Sequence, residues 1–124
     1  MPADGKLLKT IKNEYHGREY EVVLHCPEFT SLCPFTGYPD FGVIDIIYTP
    51  GKKCIESKSL KLYIMSYRDE RIFNEDAVNR ILDDIVAVCR PVRAKVVGSF
   101  NVRGGIAIRV EAGSNDKRKS RRND

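Results

Sequence analysis

The sequence has no tryptophan, two histidines, and four cysteines of which no two are spaced as C-x-x-C. A zinc site built from paired Cys or His ligands is therefore not recognisable, and no metal is expected. No apolar run approaches the roughly 20 residues of a membrane span. The opening residues, Met1-Pro2-Ala3-Asp4-Gly5-Lys6, hold no stretch of signal-peptide type. The expectation is a soluble, cytoplasmic protein. In that compartment Cys26, Cys33, Cys54 and Cys89 are expected as thiols rather than disulfides. Most of them should behave as small buried hydrophobes.

The 124 residues suffice for one domain, and 42% of them are apolar, enough for a packed core. The formal net charge of +4 is concentrated in Lys117-Arg118-Lys119-Ser120-Arg121-Arg122, without which the chain is near neutral. A basic end of this kind can neutralise RNA phosphates; a loose, solubilising end is the better explanation, because termini are commonly loose. Residues 1–18 read as a lead-in, 19–112 as a single domain, and 113–124 as a basic, disordered tail.

Tyr20 to Cys26 has strand composition, ended by Pro27. Glu28 to Asp40 reads as loop and Phe41 to Tyr48 as a second strand. Leu60, Tyr63, Ile64 and Tyr67 fall at helical spacing within Ser57 to Arg68, with Ser57 or Ser59 as cap. Val78, Ile81, Leu82 and Ile85 give a second helix, Asn74 to Cys89, its apolar face, with Asn74 as cap. Two strands follow, Ala94 to Val102 and Ile106 to Glu111, joined by Arg103-Gly104-Gly105. The order ββααββ predicts an α+β domain, an antiparallel four-stranded sheet with both helices on one face. Such a sheet leaves two edges open, which subunit association can close.

Three segments offer chemistry. Glu28-Phe29-Thr30-Ser31-Leu32-Cys33-Pro34-Phe35-Thr36-Gly37-Tyr38-Pro39-Asp40-Phe41 sets a thiol and a carboxylate seven residues apart. A cysteine nucleophile acts as its thiolate, and Asp40 is suited to handle the proton. A buried Cys33 and a turn-capping Asp40 explain the same residues without chemistry. Glu56-Ser57-Lys58-Ser59-Leu60-Lys61-Leu62-Tyr63 opens a helix with cations and hydroxyls, a credible anion site or simply a solvated face. Arg103-Gly104-Gly105 pairs an anion donor with close backbone approach, or is simply a hairpin turn.

Together these segments resemble the nitrile reductases that convert 7-cyano-7-deazaguanine to 7-aminomethyl-7-deazaguanine on the way to the tRNA nucleoside queuosine. The likeness runs from about Tyr20 to Glu111 and is to the short, single-module type. It implies the tunnelling fold and a homo-oligomer of stacked rings with sites between subunits. It further implies that Cys33 attacks the nitrile carbon to form a thioimide and that Asp40 transfers protons. Ile55, Glu56, Ser57, Asn74 and Glu75 would bind the substrate. Ser57, Lys58, Lys61, Arg103 and Gly104 would hold NADPH. The family usually shows His-Glu where this chain has Asn74-Glu75, and Asn cannot donate a proton at neutral pH. That change, with the basic tail, leans toward a relative that amidates the same nucleobase within tRNA to give archaeosine, or toward a deazapurine-binding pseudoenzyme. The intact Glu56-to-Tyr63 motif leans toward the reductase. A pterin or GTP cyclohydrolase on the same fold would need a histidine metal cluster that the chain does not offer.

Overall fold

The computed structural model describes residues 3–115; the basic stretch Lys117 to Arg122 lies outside them. In chain order the strands are β1 (Thr10–Lys12), β2 (Val22–Leu32), β3 (Pro39–Thr49), β4 (Lys53–Ile55), β5 (Arg93–Arg103) and β6 (Ile106–Asn115). The helices α1 (Ser57–Met65) and α2 (Asn74–Cys89) lie between β4 and β5. The four long strands form one antiparallel sheet in the order β2-β3-β5-β6, and β1 pairs with β4 in a small second sheet. This is the expected α+β architecture with one addition, the two-stranded sheet. No helix among the described residues is long and apolar enough to cross a membrane.

Alternation builds the sheet's inner face. Ile44, Ile46 and Tyr48 of β3 are buried while Val43, Asp45 and Ile47 point the other way. Ala94, Val96 and Phe100 of β5 continue that face. Against it α2 buries Ala77, Val78, Ile81, Leu82, Ile85 and Cys89, one side of a 16-residue helix. Each larger aliphatic side chain in that set contributes about 1.5–3 kcal/mol by leaving water. Gly98 permits the close approach: a Cβ there would lie 2.6 Å from Val78 and 2.8 Å from the Phe100 ring. Phe29 of β2 packs between Tyr67, beyond the end of α1, and Phe100 of β5, with ring centroids at 5.4 and 6.1 Å.

Several boundaries differ from expectation for identifiable reasons. β2 does not stop at Pro27. The β2–β3 register shifts between Cys26 and Phe29, so Pro27 sits in a bulge where its missing N–H costs no ladder bond. The loop thereby shrinks to the residues between Leu32 and Pro39. Neither serine caps α1: Glu56 does, accepting from the Lys58 and Ser59 N–H groups at 2.9 and 2.8 Å. Ser59 instead accepts the Lys9 N–H at 2.9 Å, tying the lead-in to the helix. Helix α1 ends at Met65 rather than Arg68, and Tyr67 stays buried beyond it. Phe73, not Asn74, is the N-cap of α2 and offers no side-chain bond; Asn74 is the first helical residue.

Candidate active site

Residues Leu32 and Pro39 face each other across the β2–β3 ladder, and Ser31 faces Asp40. The turn between them is closed twice. The Cys33 N–H donates to the Tyr38 carbonyl, and the Gly37 N–H donates to the Cys33 carbonyl, both at 2.8 Å. Gly37 adopts φ 74°, a left-handed conformation that glycine takes without strain. The strand end is then pinned to the approach of α2. Leu32 donates to the Glu70 carbonyl at 2.9 Å and accepts from the Ile72 N–H at 3.0 Å. Arg71 lies against this turn and donates to the Pro34 carbonyl at 3.4 Å. These bonds carry the first residues of α2 to the side of Cys33.

The result is a cavity of about 340 Å³ lined by Cys33, Asp40, Asn74, Glu75 and Arg103, with Phe41, Phe73, Phe100, Ile106 and Ile108 among its apolar walls. Cys33 is half-buried, and its thiol is held below the ordinary thiol range. The Thr36 hydroxyl contributes most, followed by the N–H groups of Thr36 and Phe35; partial burial and the Asp40 carboxylate oppose them. Arg103 reaches from the end of β5 to within 3.5 Å of the Asp40 carboxylate and also donates to the Pro39 carbonyl. The Oδ1 atom of Asn74 is buried with no hydrogen-bond partner among the described residues. A mostly apolar cavity that gathers a thiol, a paired carboxylate and a buried amide oxygen without a partner among the described residues can take a small ligand with a few polar groups beside the sulfur.

The rest of the expected site lies elsewhere on the chain. Ile55 is in the core, 6% exposed, and its N–H donates to the Tyr48 hydroxyl at 2.9 Å. The Glu56 carboxylate is engaged in capping α1, which holds it below its ordinary range through the Lys58 and Ser59 N–H groups. Ser57, Lys58 and Lys61 are exposed on α1. Ser57 and Lys61 line a different cavity, of about 500 Å³, together with His25, Glu28, Met65 and Arg68. Gly104, at φ 58°, forms the β5–β6 turn with Gly105 at φ 82°. Cys33, Asp40, Asn74, Glu75 and Arg103 are thus brought together, and Ile55 to Lys61 are not. Residue-level reading missed Thr36, Arg71 and Phe73. Thr36 stood inside the quoted motif; nothing local marked the other two.

The family model described as QueF-like protein matches residues 39–119. The chain belongs to the QueF-like family. Among its relatives is the NADPH-dependent 7-cyano-7-deazaguanine reductase of Anaeromyxobacter dehalogenans (strain 2CP-C), 51% identical over 105 residues, covering 85% of this chain and 86% of the relative. The reductase of the same description from Nitrosomonas europaea is 52% identical over 107 residues, covering 86% of this chain and 77% of the relative. That of Microcystis aeruginosa is 49% identical over 109 residues, covering 88% and 82%. The crystal structure of the archaeosine synthase QueF-Like in the apo form superposes with a TM-score of 0.72 at 24% identity, over 76% of this chain and 92% of that one. That likeness supports the QueF-like fold and carries no argument about activity.

Proposed function

We propose that this chain is an NADPH-dependent 7-cyano-7-deazaguanine reductase, converting the nitrile to a primary amine. The observation that carries the reading is the single cavity that gathers Cys33, Asp40, Asn74, Glu75 and Arg103 in a chain about half identical to reductases of that description. Cys33 Sγ adds to the nitrile carbon, and Asp40 gives the nitrogen its proton, leaving a thioimide. This splits one hard reduction into easier steps. NADPH supplies the hydrides, two for a nitrile taken to an amine. Cys33 departs after the first, and Asp40 returns the protons that the nitrogen needs. Glu75 accepts hydrogen bonds from the deazaguanine ring, and Asn74 Oδ1, which has no partner among the described residues, does the same.

The donor set on α1 suits the cofactor. Ser57, Lys58 and Lys61 are exposed, and two cations with a hydroxyl match a phosphate's charge and acceptors. Arg103 and Gly104 complete the set from the β5–β6 turn. Because Ile55 to Lys61 lie apart from Cys33 within one protomer, we infer a homo-oligomer whose sites form between subunits. The open edges β2 and β6 and the exposed Val102, Ile106 and Ile108 support that reading.

Mixing the protein with 7-cyano-7-deazaguanine and NADPH tests the proposal through nicotinamide absorbance and intact mass. Two NADPH lost per amine formed is the expected result. A Cys33 adduct with no NADPH loss would sink the reductase reading. It would favour the ammonia-using relative that Asn74 suggests.

A further inference from the structure

We propose that Ser31 is a positioning residue for Asp40: its buried hydroxyl holds the carboxyl group in the protonated form that delivers a proton, when the ion pair to Arg103 lets go. The inference rests on the reading above, in which Cys33 attacks the nitrile and Asp40 protonates its nitrogen.

Two buried side-chain atoms have no hydrogen-bond partner among the described residues, Ser31 Oγ and Asn74 Oδ1. Both belong to the surroundings of Cys33. Asn74 lines the cavity beside it. Ser31 stands two residues before it on β2 and is 0% exposed. A buried hydroxyl without a partner costs a folded protein free energy, and native structures keep few of them. Such a group persists where a ligand or a reacting side chain uses it.

The strand register names the side chain that can use Ser31. Ser31 is the direct cross-strand partner of Asp40 in the antiparallel β2–β3 pair. Residues paired in this way project from the same face, with Cβ atoms about 4.5–5.5 Å apart. The alternation agrees: Phe29 and Ser31 on β2, and Gly42 and Ile44 on β3, lie on the buried face, and Asp40 falls in that row. At that spacing a hydroxyl and a carboxyl meet by rotation of their side chains alone. The backbone beneath them is fixed, since the neighbouring Leu32 is bonded to Glu70 and Ile72 at 2.9 and 3.0 Å.

Asp40 already has one partner, and the limits of that partner define what Ser31 adds. The Arg103 guanidinium lies 3.5 Å from the carboxylate. Its attraction is to the negative charge, and it weakens once the carboxyl group takes up a proton and becomes neutral. A hydroxyl is less sensitive to that change. It donates to a carboxylate oxygen, and it donates equally to the carbonyl oxygen of the acid. Ser31 therefore anchors one oxygen and leaves the other to carry the proton. As Cys33 Sγ bonds to the nitrile carbon, one π pair of the C–N bond takes that proton onto nitrogen. The carboxylate left behind regains the full pull of Arg103.

The test is the rate of covalent adduct formation at Cys33, followed by intact mass with 7-cyano-7-deazaguanine and no NADPH. Wild type, Ser31→Ala, Asp40→Asn and the double variant are compared, with urea midpoints measured on the same preparations. Ser31→Ala should slow the adduct at saturating substrate about tenfold, the loss of one hydrogen bond to the reacting group. Half-saturation should stay where it is, because the hydroxyl touches Asp40 rather than the ligand. The urea midpoint should not fall, because the hydroxyl removed has no partner to lose. In the Asp40→Asn background the same change should alter the rate less than about twofold, since Ser31 acts through Asp40. An unchanged rate in Ser31→Ala overturns the proposal. So does a slower rate accompanied by a lowered midpoint, the mark of a structural role, or a full additional loss in the double variant. Wild type that forms no adduct removes Cys33 as nucleophile and this inference with it, whereas a wild-type adduct with Ser31→Ala unaffected removes this inference alone.

Discussion

The four cysteines of this chain sit in different surroundings, and sulfur chemistry reads the difference directly. Cys26 and Cys89 are pushed up to about 11 and about 12 by burial. Cys33 goes the other way because donors face it. Brief alkylation near about pH 8 should therefore label Cys33 and leave Cys26 and Cys89 untouched. Peptide mapping that found Cys89 labelled as fast as Cys33 would refute this picture of the turn. Asn74 supports a second prediction at this scale. The family resemblance implies a histidine at this position, and the buried Oδ1 of Asn74 has no partner among the described residues. An imidazole there adds a proton donor with a pKa near neutrality. Asn74→His should raise kcat by on the order of tenfold or more while changing KM little. A fall in kcat would show that the carboxamide is itself adapted to this site.

At the scale of elements, a buried hydroxyl network joins α1 to α2. The Tyr63 hydroxyl donates to Asp84 at 2.5 Å and lies 2.9 Å from the Tyr67 hydroxyl. Burial raises Tyr67 to about 12 and pushes Tyr63 well above its ordinary range, so both stay protonated donors. Tyr63→Phe keeps the ring and strands the Asp84 carboxylate, at a cost of about 1–3 kcal/mol. Urea denaturation should show that loss with an unchanged slope. The Glu56 cap gives a pH prediction. Its folded-state pKa is depressed by the Lys58 and Ser59 N–H groups. The cap therefore stabilises above the ordinary carboxylate range, and that contribution is lost as pH falls through the depressed value. Glu56→Gln should be less stable than wild type at neutral pH and should converge on it in acid. Parallel curves at every pH would remove the charge from the argument.

Element scale also shows what the sequence made legible. Helix α2 was readable end to end because Val78, Ile81, Leu82 and Ile85 keep one period and Pro91 follows. Pro27 misled because proline ends a strand only where its N–H is needed, and the bulge removes that need. The β1–β4 sheet was invisible, since three-residue strands show no alternation and pair only through tertiary contact. The Glu56 cap was hidden by two serines that are commoner caps. In the site, the Cys33-to-Asp40 motif was legible as a unit. The approach of Arg103 to Asp40, across 63 positions of sequence, needed the β3–β5 pairing to bring them together. The part played by Arg71 needed the bridge between Leu32 and Arg71.

For the whole molecule, the proposed sharing of each site between two copies has a consequence that a mixing experiment exposes. Cys33 and Asp40 line one cavity; Ser57 and Lys61 line another, with Lys58 exposed on the same helix. If each working site takes its nucleophile from one protomer and its α1 cations from a neighbour, two inactive variants can rescue each other. Cys33→Ala lacks the nucleophile and Lys58→Ala lacks a cofactor contact. In oligomers reassembled from equal amounts, a site is intact only when the Cys33 side comes from one variant and the Lys58 side from the other. Random pairing makes about a quarter of the sites whole, so the mixture should recover about a quarter of wild-type activity per site. A site confined to one chain predicts no recovery at all, since every protomer then carries one defect. Measured after co-unfolding and refolding, with size-exclusion chromatography to establish that the variants co-assemble, the two arrangements differ by the whole signal.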